Sequence, residues 1–346
     1  MKSYKLSGIK KMEIQEVPDP GPPGRGRLLL KMEAVGVCGS DIHYYKTGRI
    51  GEQVVDYPFT VGHECAATVL EGGEDSGGFK PGDRVAVDPA MPCYECDQCL
   101  AGREHTCRNL KFLGCPGQAE GCLSEMIIMP AKSCFKIPEA ISFAEAAFAE
   151  PLSIGYYAVQ LSGIRKGDRI AILGAGPIGD SVLVSSKEAG AGPIYVTDRI
   201  ARRLDIASQL GAGAVYNVDK SDAVKEITTK EPALLDIVYE CCGQQDAFDQ
   251  AVELLKPGGK LMIVGIPEFD RWSFRADTAR RKEISILHVR RQNGCMQPAL
   301  DLLSGGHVDT DLLITHTFPF SQAKEAFDLV SGYRDGVLKG MVDFSY

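Results

Sequence analysis

The sequence predicts an α/β protein of two domains, in which a doubly wound parallel sheet is joined to a β-rich domain. Three observations carry this. At 346 residues the chain is longer than one ordinary domain. Near Pro151 its texture changes from irregular strand-and-turn segments to short apolar runs alternating with amphipathic stretches. A glycine-rich turn, Gly174-Ala-Gly176-Pro-Ile-Gly179, sits at the first strand-to-helix junction of that second part. The predicted boundaries are 1–152 for the β-rich part, 153–289 for the parallel sheet, and 290–346 for a tail that returns to the first domain.

In the first part, apolar runs at Leu28–Leu30, Thr68–Leu70 and Arg84–Val87 are separated by PDPGPPGRG and EGGEDSGGFKPGD, which are turn compositions. In the second, strands are expected at Arg169–Leu173, Ile194–Thr197, Ala214–Asn217, Asp236–Tyr239, Lys260–Val264 and Glu283–His288. Helices are expected between them at Pro177–Ala189, Ala201–Leu210, Ala223–Thr229 and Ala247–Leu255. Such alternation builds a parallel sheet covered on both faces. The tail reads as two helical stretches, Gln297–Leu303 and Ser321–Val330, and a closing strand, Lys339–Phe344.

Composition narrows the class. An apolar fraction of 44% and a charged fraction of 24% are those of an ordinary globular protein that can bury a core. A net charge of −8 argues against general affinity for nucleic acid or anionic membrane. No run approaches the ~18 apolar residues of a membrane span, and the opening MKSYKLSGIKKMEIQEV lacks a signal peptide's apolar region. A cytoplasmic protein is expected. In a reducing compartment, twelve cysteines point to metal ligation or catalysis more than to disulfides.

The glycine-rich turn follows the strand RIAIL and opens a helix, the context in which G-x-G-x-x-G binds a dinucleotide. Gly174 makes the tight turn, Gly176 admits the pyrophosphate, Gly179 lets the helix pack, and Pro177-Ile178 begin the helix whose N-terminus faces the phosphates. Asp198 closes the next strand at about the 20-residue spacing of a ribose-binding carboxylate. It favours NAD, whereas Arg199 beside it would suit the 2′-phosphate of NADP; Arg203 is a further candidate contact. This is a Rossmann fingerprint. Asp180 is an oddity, a charge where a helix packed on a sheet wants an apolar residue, although the helix dipole favours it there.

Cys93-x2-Cys96-x2-Cys99-x7-Cys107 places four thiolates within fifteen residues. Four soft ligands close a tetrahedron, the signature of structural zinc. Cys65, Cys115, Cys122, Cys134, Cys241, Cys242 and Cys295 are scattered and receive no role. A second set is dispersed: Cys38 in GVCGSDIHYY, His63-Glu64 in TVGHE, and Glu150 in FAEP. One thiolate, one imidazole and nearby carboxylates are the ligand types of a catalytic zinc that keeps a position for water or substrate.

The order CGSDIH, GHE, KPGDRVA, four-cysteine lobe, EPLSIG, GAGPIG resembles the zinc-containing medium-chain dehydrogenases over essentially the whole chain. HYYKTGRIG, the acidic Glu150 and THTFPFSQAKEAF are most similar to the sorbitol and xylitol branch. The resemblance implies a GroES-like catalytic domain beside the Rossmann domain, NAD, one catalytic and one structural zinc per chain, and a homodimer or homotetramer. It implies that Cys38, His63 and Glu64 ligate the catalytic zinc and that Glu150 binds the metal or holds its water. It further implies that Ser40 takes the substrate hydroxyl's proton and passes it towards His43, that Tyr44 lines the substrate pocket, and that Arg290 binds substrate hydroxyls. The expected reaction is oxidation of a polyol's secondary alcohol to the ketone with hydride transfer to NAD. His288-Val-Arg290-Arg291-Gln-Asn departs from that branch, and its arginine pair would also suit a phosphorylated or carboxylated alcohol. L-Threonine 3-dehydrogenase is the nearest rival, and a non-catalytic relative would have lost part of the Cys38, Ser40, His43, His63 and Glu64 set.

Overall fold

The computed structural model describes residues 1–345. The described chain forms two compact units: residues 1–150, 296–306 and 314–345 make the first, and residues 151–295 and 307–313 the second. The return to the first unit thus begins at Met296, and residues 290–295 remain with the second.

The first unit is built on a mixed sheet. Its central strand β1 (Arg27–Gly36) buries Leu28, Leu30 and Met32 in strict alternation, the period-two pattern of a strand with one covered face. A short helix α1 (Gly39–Thr47) follows at once and ends on Gly48, whose φ of 71° is the left-handed geometry glycine supplies. Strands β2 (Glu64–Gly72) and β3 (Arg84–Val87) continue the sheet on one side of β1, antiparallel. The tail strand Lys339–Asp343 pairs on the other side, so Gly36 faces both Glu64 and Met341. Helix α1 is anchored from below: buried Tyr45 stacks edge-on against Phe327 of the tail helix Ala323–Ser331 and donates a 2.7 Å hydrogen bond to Asp328. A fully buried aromatic or aliphatic side chain contributes ~1.5–3 kcal/mol, so this contact holds the helix firmly.

Helix α2 (Phe143–Ser162) was not foreseen. It carries Pro151 in its interior and is mostly buried, so it shows neither an amphipathic period nor an uninterrupted helical composition. The boundary between the units falls inside it, after Glu150.

The second unit is a six-stranded sheet, all parallel. Its strands are β4 (Ile170–Leu173), β5 (Ile194–Asp198), β6 (Ala214–Asn217), β7 (Leu235–Glu240), β8 (Leu255–Ile263) and β9 (Ser285–His288). The spatial order is β6-β5-β4-β7-β8-β9, the doubly wound Rossmann arrangement. Every residue of β4 is buried, as a strand covered on both faces requires. Helix α3 (Pro177–Glu188) leaves β4 through the glycine-rich turn, and α4 (Ala201–Gln209) follows β5. Strand order reverses between β4 and β7, and ligands of such sheets bind in the crevice at that switch point. Among the described residues, no helix is long and apolar enough to cross a membrane.

Candidate metal centres and dinucleotide site

The first unit gathers Cys38, His63 and Glu64, one ligand atom of each lying within 4.8 Å of the others. Cys38 caps the N-terminus of α1, and His63-Glu64 lead into β2, so two neighbouring elements converge on one point. His63 and Glu64 are buried. Asp41, fully buried on α1 and not selected from the sequence, organises them. Its Oδ1 lies 3.4 Å from His63 Nδ1 and accepts from the Gly62 N–H at 3.1 Å, while its Oδ2 accepts from the Cys38 N–H at 3.3 Å. A carboxylate on Nδ1 fixes the tautomer that leaves Nε2 free to ligate a metal. Burial disfavours a charged His63, yet the Asp41 carboxylate and the Cys38 thiol outweigh it and hold its pKa well above the ordinary value.

Two further predicted residues bear on this cluster, Ser40 by a hydrogen bond and Glu150 by its charge. Ser40 Oγ donates to Cys38 Sγ at 3.3 Å, and His43 lies one turn further along α1. Tyr44 is buried and donates to Gln53 Oε1 at 3.1 Å. Glu150, on α2, lies outside the three-residue set. Burial, and then the Glu64 and Asp88 carboxylates, push its pKa up to about 8 against the opposing pull of His63 and Lys339. Lys339, a second residue the sequence reading missed, is buried and donates to Glu64 Oε2 and, at 3.3 Å, to the Val37 carbonyl. A separation of 275 positions along the chain hid the pair.

Cys93, Cys96, Cys99 and Cys107 form a second cluster, again within 4.8 Å. None is in a disulfide. The Sγ–Sγ separations are 3.4 Å for Cys93–Cys107, 3.6 Å for Cys96–Cys99 and 3.9 Å for Cys96–Cys107. Tetrahedral zinc with bonds of about 2.3 Å requires sulfurs about 3.8 Å apart, so the four fit the ion. The backbone N–H groups of Cys99 and Arg108 draw the Cys96 thiol down to about 6, ready to bind as thiolate.

In the second unit the three glycines have distinct reasons. Gly174 has φ of +107°, and a Cβ there would lie 2.9 Å from Cys242 Cβ. At Gly179 it would lie 1.9 Å from the Gly174 carbonyl oxygen, so both are required by packing. At Gly176 the nearest atom would be Arg203 Nη1 at 3.6 Å, which leaves an open face above the turn. Gly176 also caps α3 without a side-chain partner, and Pro177-Ile178 begin the helix, so its first N–H groups are available to a phosphate. Asp198 ends β5 and accepts from the Ala175 and Ile200 N–H groups, each at 2.8 Å. Arg199 turns away to Asp219, donating to its two oxygens at 3.0 and 3.1 Å.

Asp180 differs from the dipole-stabilised charge expected of it. It is fully buried, neither oxygen has a hydrogen-bond partner, and burial holds its pKa well above the carboxylate range despite Arg203. Desolvation outweighs the helix dipole here. Glu240, at the end of β7, was also missed: its Oε1 gathers the N–H groups of Cys242 and Gly243 at 2.9 and 2.6 Å and shapes the turn beside Gly174. Arg290 and Arg291 follow β9; Arg290 is exposed and Arg291 has φ of +56°.

Comparison with known proteins agrees with this geometry. Residues 24–139 match the alcohol dehydrogenase GroES-like domain, and residues 177–305 match the zinc-binding dehydrogenase domain. The chain is 35% identical over 343 residues to sorbitol dehydrogenase of Bacillus subtilis (strain 168), covering 99% of this chain and 97% of the relative. A solved Escherichia coli oxidoreductase/dehydrogenase, of unknown specificity and involved in membrane biogenesis, superposes with a TM-score of 0.93 at 31% identity, covering 100% and 99% of the two chains. The structure of a zinc-binding dehydrogenase from Sinorhizobium meliloti 1021, bound to NADP, superposes with a TM-score of 0.90 at 30% identity, covering 99% and 98% of the two chains. With a GroES-like unit, a Rossmann unit and both cysteine-bearing clusters in place, the chain belongs to the zinc-binding alcohol dehydrogenase family and is an oxidoreductase acting on an alcohol.

Proposed function

We propose that this enzyme oxidises a secondary hydroxyl of a polyol to the ketone, with NAD as hydride acceptor. The observation that carries the reading is the buried convergence of Cys38, His63 and Glu64, a three-ligand set that leaves a tetrahedral ion one position for substrate. When bound, zinc supplies a Lewis acid that lowers the hydroxyl's pKa, and the nicotinamide supplies the hydride acceptor. In this reading Cys38, His63 and Glu64 hold the catalytic ion, and Cys93, Cys96, Cys99 and Cys107 hold the structural one. Asp41 orients His63, and Glu150 holds a water. Ser40 Oγ takes the hydroxyl's proton, and His43, at i+3 on the same face of α1, releases it to solvent. Tyr44 lines the polyol pocket and Arg290 binds its hydroxyls. Gly174, Gly176, Pro177, Ile178, Gly179, Asp198 and Arg203 hold the dinucleotide.

NAD is preferred over NADP because Asp198 sets a carboxylate where a 2′-phosphate would sit, while Arg199 is engaged by Asp219. Strand β9 ends the sheet with an open edge, which favours a homodimer or homotetramer formed through it. Twelve cysteines without a disulfide favour the cytoplasm. The exposed Arg290 with Arg291 favours a second substrate reading, an alcohol bearing a phosphate or carboxylate.

The test is cofactor reduction, with NAD and with NADP, over a panel of sorbitol, xylitol, threitol, L-threonine, simple alcohols and a sugar-alcohol phosphate, with and without chelator. Chelator-sensitive activity on the neutral polyols supports the proposal. Activity confined to threonine or the phosphate ester moves the substrate to the arginine pair, and binding of NAD without turnover on any alcohol rejects the reading.

A further inference from the structure

Lys339 is a buried ammonium of the first unit. It starts the tail strand, is 2% exposed, and donates to Glu64 Oε2 and to the Val37 carbonyl. Burying an ammonium is costly unless it is paired, and Glu64, equally buried, is the partner. A second feature was built for the same oxygen. Gly36 faces Glu64 across β1 and β2, and a Cβ at residue 36 would lie 2.2 Å from Glu64 Oε2. The missing side chain of Gly36 is therefore a slot, with the Lys339 ammonium holding the oxygen in it.

This arrangement bears on how many positions a metal has left. A carboxylate that offered both oxygens would take two positions, and with Cys38 and His63 would close a four-coordinate site. An oxygen seated over Gly36 and bonded to an ammonium is withdrawn from that competition. We propose that Lys339 is a positioning residue for the metal site: by holding Glu64 Oε2 in the slot above Gly36 it limits Glu64 to one coordinating oxygen and keeps a position available for the alcohol. The inference rests on the reading of Cys38, His63 and Glu64 as ligands of the catalytic zinc.

The test exchanges zinc for cobalt(II) in the intact protein and compares wild type with Lys339→Met and Lys339→Arg. Visible absorption reports coordination number, intense for four ligands and weak for five or six, and a merely structural residue would not move it. Lys339→Met is expected to give weaker bands and lower kcat/KM about 10–100-fold, the range for losing a partner of a metal ligand, chiefly through a raised alcohol KM. Lys339→Arg is expected to restore both. Wild-type band intensity and KM in Lys339→Met would overturn the inference. If Lys339→Met does not fold, Gly36→Ala evicts Oε2 from its slot with Lys339 intact; it must weaken the same bands, and an unchanged spectrum there overturns the inference equally. A wild type that turns over no alcohol while its cobalt spectrum still answers to Lys339→Met would support the inference and sink the polyol reading.

Discussion

Replacing Asp41 with asparagine alters the metal site while leaving its shape intact. Asp41 is fully buried and accepts from two backbone N–H groups, at 3.3 Å from Cys38 and 3.1 Å from Gly62, besides facing His63 Nδ1 at 3.4 Å. An amide keeps one acceptor and turns the other into a donor. If the N–H₂ group replaces Oδ2, the Cys38 N–H loses its acceptor, and an unsatisfied buried group costs about 1–3 kcal/mol. If it replaces Oδ1, the Gly62 N–H loses its acceptor and His63 is also driven to the tautomer that carries its hydrogen on Nε2, the atom a metal needs. Loss of such a carboxylate partner lowers metal affinity or activity about 10–100-fold. The assay pairs a thermal melt with zinc content after dialysis and kcat/KM on the active alcohol. A variant that melts as wild type, keeps its full zinc and turns over normally would refute the role given to Asp41.

Other outcomes follow from the same geometry. Cys96→Ser is expected to lower the melting temperature and zinc content together, and Cys96→Ser melting as wild type with full zinc content would remove the structural role of that lobe. Gly176→Ala should fold normally, since nothing lies closer than 3.6 Å to the new carbon, but bind NADH more weakly; Gly179→Ala should fail to fold, with a carbonyl oxygen 1.9 Å away. Calorimetric titration and circular dichroism separate the two, and equal behaviour of both would contradict the account of the turn. Asp180→Leu is expected to be neutral or stabilising at pH 7. Because the folded carboxyl keeps its proton where the unfolded one loses it, the pH-dependent cost of Asp180 is absent below about pH 3.9 and grows progressively as pH rises from there towards its raised folded value. Denaturant melts of both proteins across that range should diverge with rising pH, and parallel curves would show that Asp180 is already satisfied.

Much of this was legible because its signals are local. The glycine spacing with its flanking strand, the C-x2-C-x2-C lobe, and the alternation of strands and helices each declare themselves within a few dozen residues. The catalytic cluster was legible only as a set of landmarks, since Cys38, His63 and Glu150 lie on three different elements. Asp41 was within reach: it stands three residues after Cys38 in CGSDIH, and a metal-bound histidine ordinarily needs a carboxylate partner. Lys339 was not, because nothing in LKGMVDF distinguishes a buried lysine from a solvated one until β1 and the tail strand are paired. Helix α2 was lost to Pro151, which reads as a break, and to burial, which removes the polar face that reveals a helix. Asp180 shows the opposite limit: the helix-terminus rule predicts a favoured charge, and only burial reveals that desolvation wins.

Zinc content and turnover of His63→Ala decide whether the buried Cys38, His63 and Glu64 cluster is the catalytic metal site. Two zinc ions are expected per wild-type chain and one in the variant, with alcohol oxidation abolished, NADH binding retained and the fold unchanged. Retained turnover in a variant that has lost His63, or in a metal-free preparation, would contradict it.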